Sequence, residues 1–398
     1  MEIPFTAYPI LGRLSMSAES NLQSKSRILD ETDNKGKRGK GTRNSPFSLL
    51  SEHTKNANAQ TSEKIFKAYY VWPRFPSLSM SGSGCSLMCK HCDHKYLSCM
   101  KPVTTSAQLI ETAHQLDKEG AVGFLLSGGC AKDGTMLNLP NLLDGIKRVK
   151  KETNLIVKLH TGFVSREMAK QLVEAGVDVA SMEMVGDAQT IKEIFNLDAA
   201  PEHYKETFKN LADAGMRHIV PHVCVGLHYG ELRGEFKALE MLKEVCKPST
   251  LVMIVLRPTP GTDLENLKAP DAEAVAAVVK KARELFPGVD ISLGCMRPRS
   301  GKVGSRISEV GSLLKSDFGG LMSDVENSVV TSHIPLQTSH FIRDDIELAA
   351  LRAGVTRMEI PSSATLEEAR KMGYEIKRVD ACCALPSEFE YLANPRYV

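Results

Sequence analysis

Short apolar, strand-like runs alternate with longer helix-like stretches through most of this chain, and that alternation constrains its fold more than any other feature. Eight strands are expected: 77–82, 122–128, 154–160, 178–185, 218–226, 250–258, 290–295 and 355–360. Helices are expected over 106–119, 139–151, 165–175, 203–214, 232–246 and 272–286. Gly120, Gly176, Gly215 and Gly354 follow helical stretches, where a left-handed residue ends a helix. Strands separated by helices build a parallel sheet covered on both faces. Eight such units predict an α/β fold of the (β/α)8 kind, a full or nearly closed TIM-like barrel with its chemistry at the C-terminal strand ends.

The flanks read differently. Residues 1–64 are rich in Ser, Asn, Lys and Gly and hold no sustained period, so a disordered N-terminal extension is expected there. Its basic cluster, Lys35, Lys37, Arg38, Lys40 and Arg43, reads as a solvated tail. The barrel domain is expected over 65–386, interrupted by a Gly- and Ser-rich insertion at 301–338 and followed by a C-terminal tail at 387–398. A formal net charge of +2 on 398 residues gives no reason to expect a nucleic-acid partner. The longest apolar runs, LVMIVL (251–256) and AVAAVV (274–279), fall short of the roughly 18 residues that span a bilayer, so no membrane segment is expected. Ten scattered cysteines behind an N-terminus without an apolar core of signal-peptide type predict a reducing, cytoplasmic location.

The densest chemistry is CSLMCKHC at 85–92, which sets Cys85, Cys89 and Cys92 on one short loop. Three close thiolates hold three irons of a cubane and leave the fourth iron without a protein ligand, whereas structural zinc takes four protein ligands. No second cysteine knuckle follows, so a zinc site would have to recruit His91, His94 or Cys99 from the same loop. One strand later come Ser127, Gly128, Gly129 and Cys130, where paired glycines allow a close backbone approach.

The CxxxCxxC spacing, the strand-like stretch before it and the glycine pair after the next strand resemble the radical S-adenosylmethionine (SAM) superfamily. The stretches PTPGT (258–262) and HYKETFKNLADAG (203–215) are similar to its biotin-synthase-like branch, a likeness covering about residues 68–386. The resemblance implies a [4Fe-4S] cluster on Cys85, Cys89 and Cys92, whose open iron binds the amino and carboxyl groups of SAM. It implies that an electron passed through the cluster yields methionine and a 5'-deoxyadenosyl radical. It also implies that Ser127, Gly128 and Gly129 meet the SAM amino group, although Cys130 stands where an acidic residue is usual. His91 fills the position that packs adenine, and Glu183, with His160, His222 and His228, lies near strand ends where substrate or the SAM carboxylate would be met. The stretch VCVGLHYGE (223–231) resembles one lying beside adenine and ribose, with Glu231 placed late.

Sulfur-inserting enzymes of this branch hold a second cluster opposite SAM, and Cys130, Cys224, Cys295, Cys382 and Cys383 are the candidate ligands of such an auxiliary iron-sulfur cluster. Cys246 reads as a small buried hydrophobe. Arg297 and Arg299 flank Cys295, either as solvated residues or as partners of a carboxylate or the cluster. The Cys-Cys tail and GCMRPR (294–299) are similar to the archaeal biotin-synthase homologues that form a two-protein lipoyl synthase. That likeness implies sulfur insertion into an octanoyl chain on a lipoyl carrier domain, a second radical SAM component, and a ferredoxin or flavodoxin reductant. The alternatives are a single-cluster mutase or synthase acting on a small molecule, and a non-enzymatic iron-sulfur electron carrier.

Overall fold

The computed structural model describes residues 64–299 and 339–398. The expected N-terminal arm and the 301–338 insertion lie outside the described residues, except for Lys64, which opens a strand. In chain order the strands are β1 (Lys64–Tyr69), β2 (Ser77–Ser79), β3 (Lys101–Pro102), β4 (Gly123–Ser127), β5 (Ile156–His160), β6 (Val179–Glu183), β7 (His218–Val225), β8 (Thr250–Val255), β9 (Asp290–Leu293), β10 (Arg357–Glu359), β11 (Tyr374–Val379) and β12 (Arg396–Tyr397). The helices are α1 (Ser106–Lys118), α2 (Leu139–Glu152), α3 (Arg166–Glu174), α4 (Ala188–Phe195), α5 (Pro201–Asp213), α6 (Glu235–Val245), α7 (Ala272–Leu285), α8 (Ser339–Arg352) and α9 (Ser363–Lys371).

All eight expected strands form, as β2 and β4 through β10, and each pairs in parallel with the next. Sequence reading missed β1, β3, β11, β12, α4 and α9, and marked only the end of α8, at Gly354. The strand order is β12-β11-β1-β10-β9-β8-β7-β6-β5-β4-β2-β3, so the ladder has two ends and the barrel is open in its hydrogen bonding. It still curls. Tyr69 and Val379 from one side of that order and Phe75, Val122 and Ile156 from the other meet in one interior cluster. Among the described residues no helix is long and apolar enough to cross a membrane.

Strand periodicity decides what faces inward. On β6, Ala180 and Met182 join the outer core beneath the helices, while Val179 joins the interior cluster and Glu183 lines the cavity above it. On β5 the same alternation sends Val157 and Leu159 outward and Ile156, Lys158 and His160 inward. Helix starts are fixed by side-chain caps, among them Thr105 with Gln108 on α1, Asp187 on α4 and Ser362 on α9. Gly120 ends α1 at φ +77°, a left-handed turn that side chains resist.

The chain's last residues close the barrel from below. After β11 the segment turns inward, burying Ala381, Cys383, Ala384 and Leu385 in the interior cluster, and a 3-10 helix (Ser387–Ala393) lies across the N-terminal strand ends. Its contacts are to the first residues of strands, His218 Nε2 to Glu388 Oε1 at 2.9 Å and Arg357 to Glu390 at 3.0 Å, and Arg357 also donates at 2.6 Å to the carbonyl of Leu385, ahead of the helix. Glu390 also accepts from Lys67 at 2.8 Å and from the Tyr69 hydroxyl at 2.6 Å. Residues 387–398, expected as a separate tail, therefore form a floor and an edge strand of the barrel.

Candidate active site

The loop carrying Cys85, Cys89 and Cys92 is held from three sides. The end of α4 supports it from below: Lys90 N–H donates to the Ile194 carbonyl at 2.8 Å, and Asn196 Nδ2 donates to the Met88 carbonyl at 2.8 Å. Tyr96 shares a 2.6 Å hydrogen bond with Thr259, so the PTPGT stretch buttresses the loop. The third support is Gly129. A Cβ at this position would lie 2.1 Å from the Gly84 carbonyl oxygen and 2.5 Å from Cys85 Cβ, so only glycine lets the SGGC turn and the cysteine loop approach this closely.

Cys85 and Cys92 face a cavity of about 370 Å3, and Cys89 is buried beneath them with its Sγ 3.6 Å from the Phe195 carbonyl. The Cys89 thiol donates to Cys92, which raises the pKa of Cys89 and lowers that of Cys92. The three do not form a set tight enough for one metal ion, as expected of thiolates that span a cubane. Cys99 is exposed at the end of a 3-10 helix, which removes it as a fourth ligand. His91 packs edge-on to Phe195 at 5.3 Å, its Nδ1 has no partner among the described residues, and burial takes its pKa down to about 4. A neutral ring facing the cavity results.

The wall of the cavity comes from inward strand positions. Ser127, Gly128, Gly129 and Cys130 stand at the end of β4, and His160, Glu183 and Cys224 at or near the ends of β5, β6 and β7. His160 Nε2 lies 3.0 Å from Glu183, and the His160 and His222 rings stack at 6.4 Å. Burial works to raise the Glu183 pKa, but the His160 contact overcomes it and holds the carboxyl below the usual range. Burial brings His222 down to about 3, and its Nδ1 is another buried atom without a partner among the described residues. His228 instead hydrogen-bonds Thr190 at 3.1 Å and supports α4. Glu231 and Cys246 do not line this cavity.

At the floor stand Cys382, Cys383, Cys295, Lys158 and Glu359. Lys158 is 5% exposed, and its Nζ lies 3.9 Å from Cys382 Sγ. The Cys383 thiol donates to Cys382, and with Lys158 beside it Cys382 comes down to about 5, whereas Cys383 is raised. Burial pushes Cys130 and Cys295 up to about 12 and Cys224 well above the usual thiol range. Cys295 has accessible surface, but that surface belongs to the cavity wall. Burial raises Glu359 to about 7.

The five cysteines proposed as auxiliary ligands thus share one cavity but not one point. Cys130 lies against the Cys85 loop, its carbonyl accepting from Ser86 N–H at 2.7 Å, and Cys224 lies on the wall. Cys382 and Cys383 converge with Glu359, and Cys295 lines the same cavity just past the end of β9. Arg297 is not solvated: it is 0% exposed and bonded to Glu347 at 2.6 Å and to the carbonyls of Gly294 and Glu359. Sequence reading passed over Lys158 and Glu359. Each is a charged residue at an inward strand position that only the register of the folded sheet reveals.

Residues 80–239 match the model of the Radical SAM superfamily. A biotin synthase from Coxiella burnetii (strain Dugway 5J108-111) is 32% identical over 205 residues, 48% of this chain and 58% of that protein. One from Acetivibrio thermocellus is 25% identical over 267 residues, 63% of this chain and 80% of that one. The chain therefore spans 58% of the length of the first of these relatives. In fold alone it is similar to the FeFe-hydrogenase maturase HydG from Carboxydothermus hydrogenoformans, with TM-score 0.50 and 14% identity over 82% of this chain and 70% of that one. The cysteine loop at the mouth of an open parallel barrel lies within the stretch that matches the radical SAM superfamily, residues 80–239, and around it the chain is similar to biotin synthases.

Proposed function

We propose that this protein uses radical SAM chemistry to insert sulfur into an unactivated C–H position of an octanoyl chain carried on a protein lysine, in the manner of a lipoyl synthase. One observation carries the reading: a second set of cysteines, Cys295, Cys382 and Cys383, lines the same cavity as Cys85 and Cys92. Chemistry that only abstracts hydrogen has no use for it.

The residues at the mouth fit the group that the family implies. Cys85, Cys89 and Cys92 would hold a [4Fe-4S] cluster, and the Gly129 contact fixes the turn whose backbone would meet the SAM amino group. Bound there, cluster and SAM supply an electron and a carbon radical able to take hydrogen from an alkyl chain. A second cluster on the floor cysteines would supply sulfur. The chain's own contribution is placement and exclusion of water. Leu125, Val252 and Ile254 offer an apolar wall between mouth and floor, suited to an alkyl segment. The neutral His91 ring is suited to packing adenine, and the His160–Glu183 pair gives a polar edge near the mouth for the SAM ribose or amine. The floor helix seals the barrel beneath the sulfur donors.

The test is an anaerobic incubation with SAM, dithionite and an octanoyl-lysine peptide from a lipoyl carrier domain. The expected products are 5'-deoxyadenosine and a peptide that has gained sulfur. Formation of 5'-deoxyadenosine without sulfur transfer to this or any acyl-lysine peptide would favour the single-cluster reading. Absence of SAM cleavage would favour an electron carrier.

A further inference from the structure

We infer that Glu359 supplies an oxygen ligand beside the thiolates of Cys382 and Cys383, so that the metal centre at the barrel floor is held by a mixed sulfur and carboxylate set. The inference rests on the reading that this floor holds an iron-sulfur cluster, and it deepens that reading.

Position is the first argument. On β10 the side chains alternate: Arg357 faces the floor helix, Met358 joins the outer core, and Glu359 faces the cavity. One carboxylate oxygen of Glu359 and the sulfurs of Cys382 and Cys383 all lie within 4.8 Å of one another, and among the described residues they are the one such convergent set of possible metal ligands.

Charge is the second. Glu359 is 4% exposed, yet among the described residues its carboxylate makes no ion pair. Arg297 and Arg299 donate to its backbone carbonyl at 2.7 Å and 3.3 Å, so their charges reach the carboxylate without pairing with it. A buried carboxylate without a cation is costly, and a metal ion removes that cost. Lys158, 3.9 Å from Cys382, sets a cation beside the thiolates of the same set. The chemistry distinguishes the donors. Carboxylate is the harder ligand and suits iron less closely than thiolate does, which makes the oxygen-bound iron the most readily exchanged corner of the centre.

The experiment uses the full-length chain carrying Cys85→Ala, Cys89→Ala and Cys92→Ala, reconstituted anaerobically so that only the floor site takes iron. Iron, sulfide, EPR and Mössbauer spectra are compared for this parent and for the same chain with Glu359→Gln, Glu359→Ala or Glu359→Cys. The parent should hold a cluster with one iron spectroscopically distinct from the rest. E359Q should shift the EPR signal, E359A should bind added imidazole with a new signal where the parent does not, and E359C should restore full iron with an all-sulfur spectrum. The backbone bonds to Arg297 and Arg299 survive in every variant, and circular dichroism confirms the fold. Unchanged spectra across the series, with no response to imidazole, would overturn the assignment and leave Glu359 as a hydrogen-bond acceptor for Cys383. Absence of iron from the parent itself would sink the floor-cluster reading, and Cys382→Ala with Cys383→Ala in the otherwise native chain would then leave iron content unchanged.

Discussion

Glu347 links the walls of the site to the fold, and its substitution by Gln has an effect that can be worked out. The side chain is 0% exposed on α8. One oxygen accepts from Arg297 at 2.6 Å and from Arg343 at 3.0 Å, and the other accepts from Ser362 N–H at 2.7 Å and the Thr365 hydroxyl at 2.9 Å. Burial alone would raise its pKa, but Arg297 and Arg343 overcome burial and bring it down from 4.5 to about 2. That lowering corresponds to about 3 kcal/mol of stability, in the range of about 3–5 kcal/mol for breaking a buried pair. The folded value lies below the unfolded one, so the contribution is complete above about pH 4.5 and is lost as pH falls towards about 2. Urea titrations should place Glu347→Gln about 3 kcal/mol below the native chain at about pH 7, and the gap should narrow by about 1 kcal/mol between about pH 5.5 and 3.5. A gap under about 1 kcal/mol at neutral pH, or one that does not narrow in acid, would refute the reasoning.

Thiol reactivity in the metal-free protein should follow the charge pattern of the floor. Iodoacetamide at about pH 6.5 should label Cys382, brought down to about 5, well before Cys130 or Cys295, pushed up to about 12, as read by peptide mass mapping. Lys158→Met should raise the Cys382 pKa by about one to three pH units and move its labelling profile alkaline by the same amount. An unmoved profile would mean that Cys383 alone sets it. Gly129→Ala should cost about 1–3 kcal/mol in thermal or urea unfolding and lower the iron bound in a Cys382→Ala, Cys383→Ala background, because the new Cβ would overlap the Gly84 carbonyl and Cys85.

Central strands such as β4 and β8 were legible because they are apolar runs long enough to be buried on both faces, and the helices between them carry clear apolar stripes and glycine stops. The missed elements lacked such a signal. β11, YEIKRV, mixes charge into a flanking strand whose partner β1 lies about 310 residues away in sequence. α4 is eight residues long, yet it carries the underside of the cysteine loop. The mouth of the site was legible because Cys85, Cys89 and Cys92 sit together in sequence. The floor was legible only as a cysteine pair. That Lys158, from β5, and Glu359, from β10, meet Cys382 and Cys383 depends on strand register and on the inward turn of the last residues, neither of which has a local sequence signal. For Arg297 the sequence left a solvated residue and a carboxylate partner both open, and the structure shows the second: it is buried and paired with Glu347.

The central claim is that one cavity carries two iron-sulfur sites, and iron, labile sulfide and EPR on anaerobically reconstituted protein test it most directly. The native chain, the variant with Cys85, Cys89 and Cys92 changed to Ala, and the variant with Cys382 and Cys383 changed to Ala would be compared. The account predicts that each variant keeps about half the iron and sulfide of the native chain, with a distinct EPR signal, and that SAM perturbs the signal only where the CxxxCxxC loop is intact. A triple variant that binds no iron, beside a Cys382 and Cys383 variant that loses none, would contradict it.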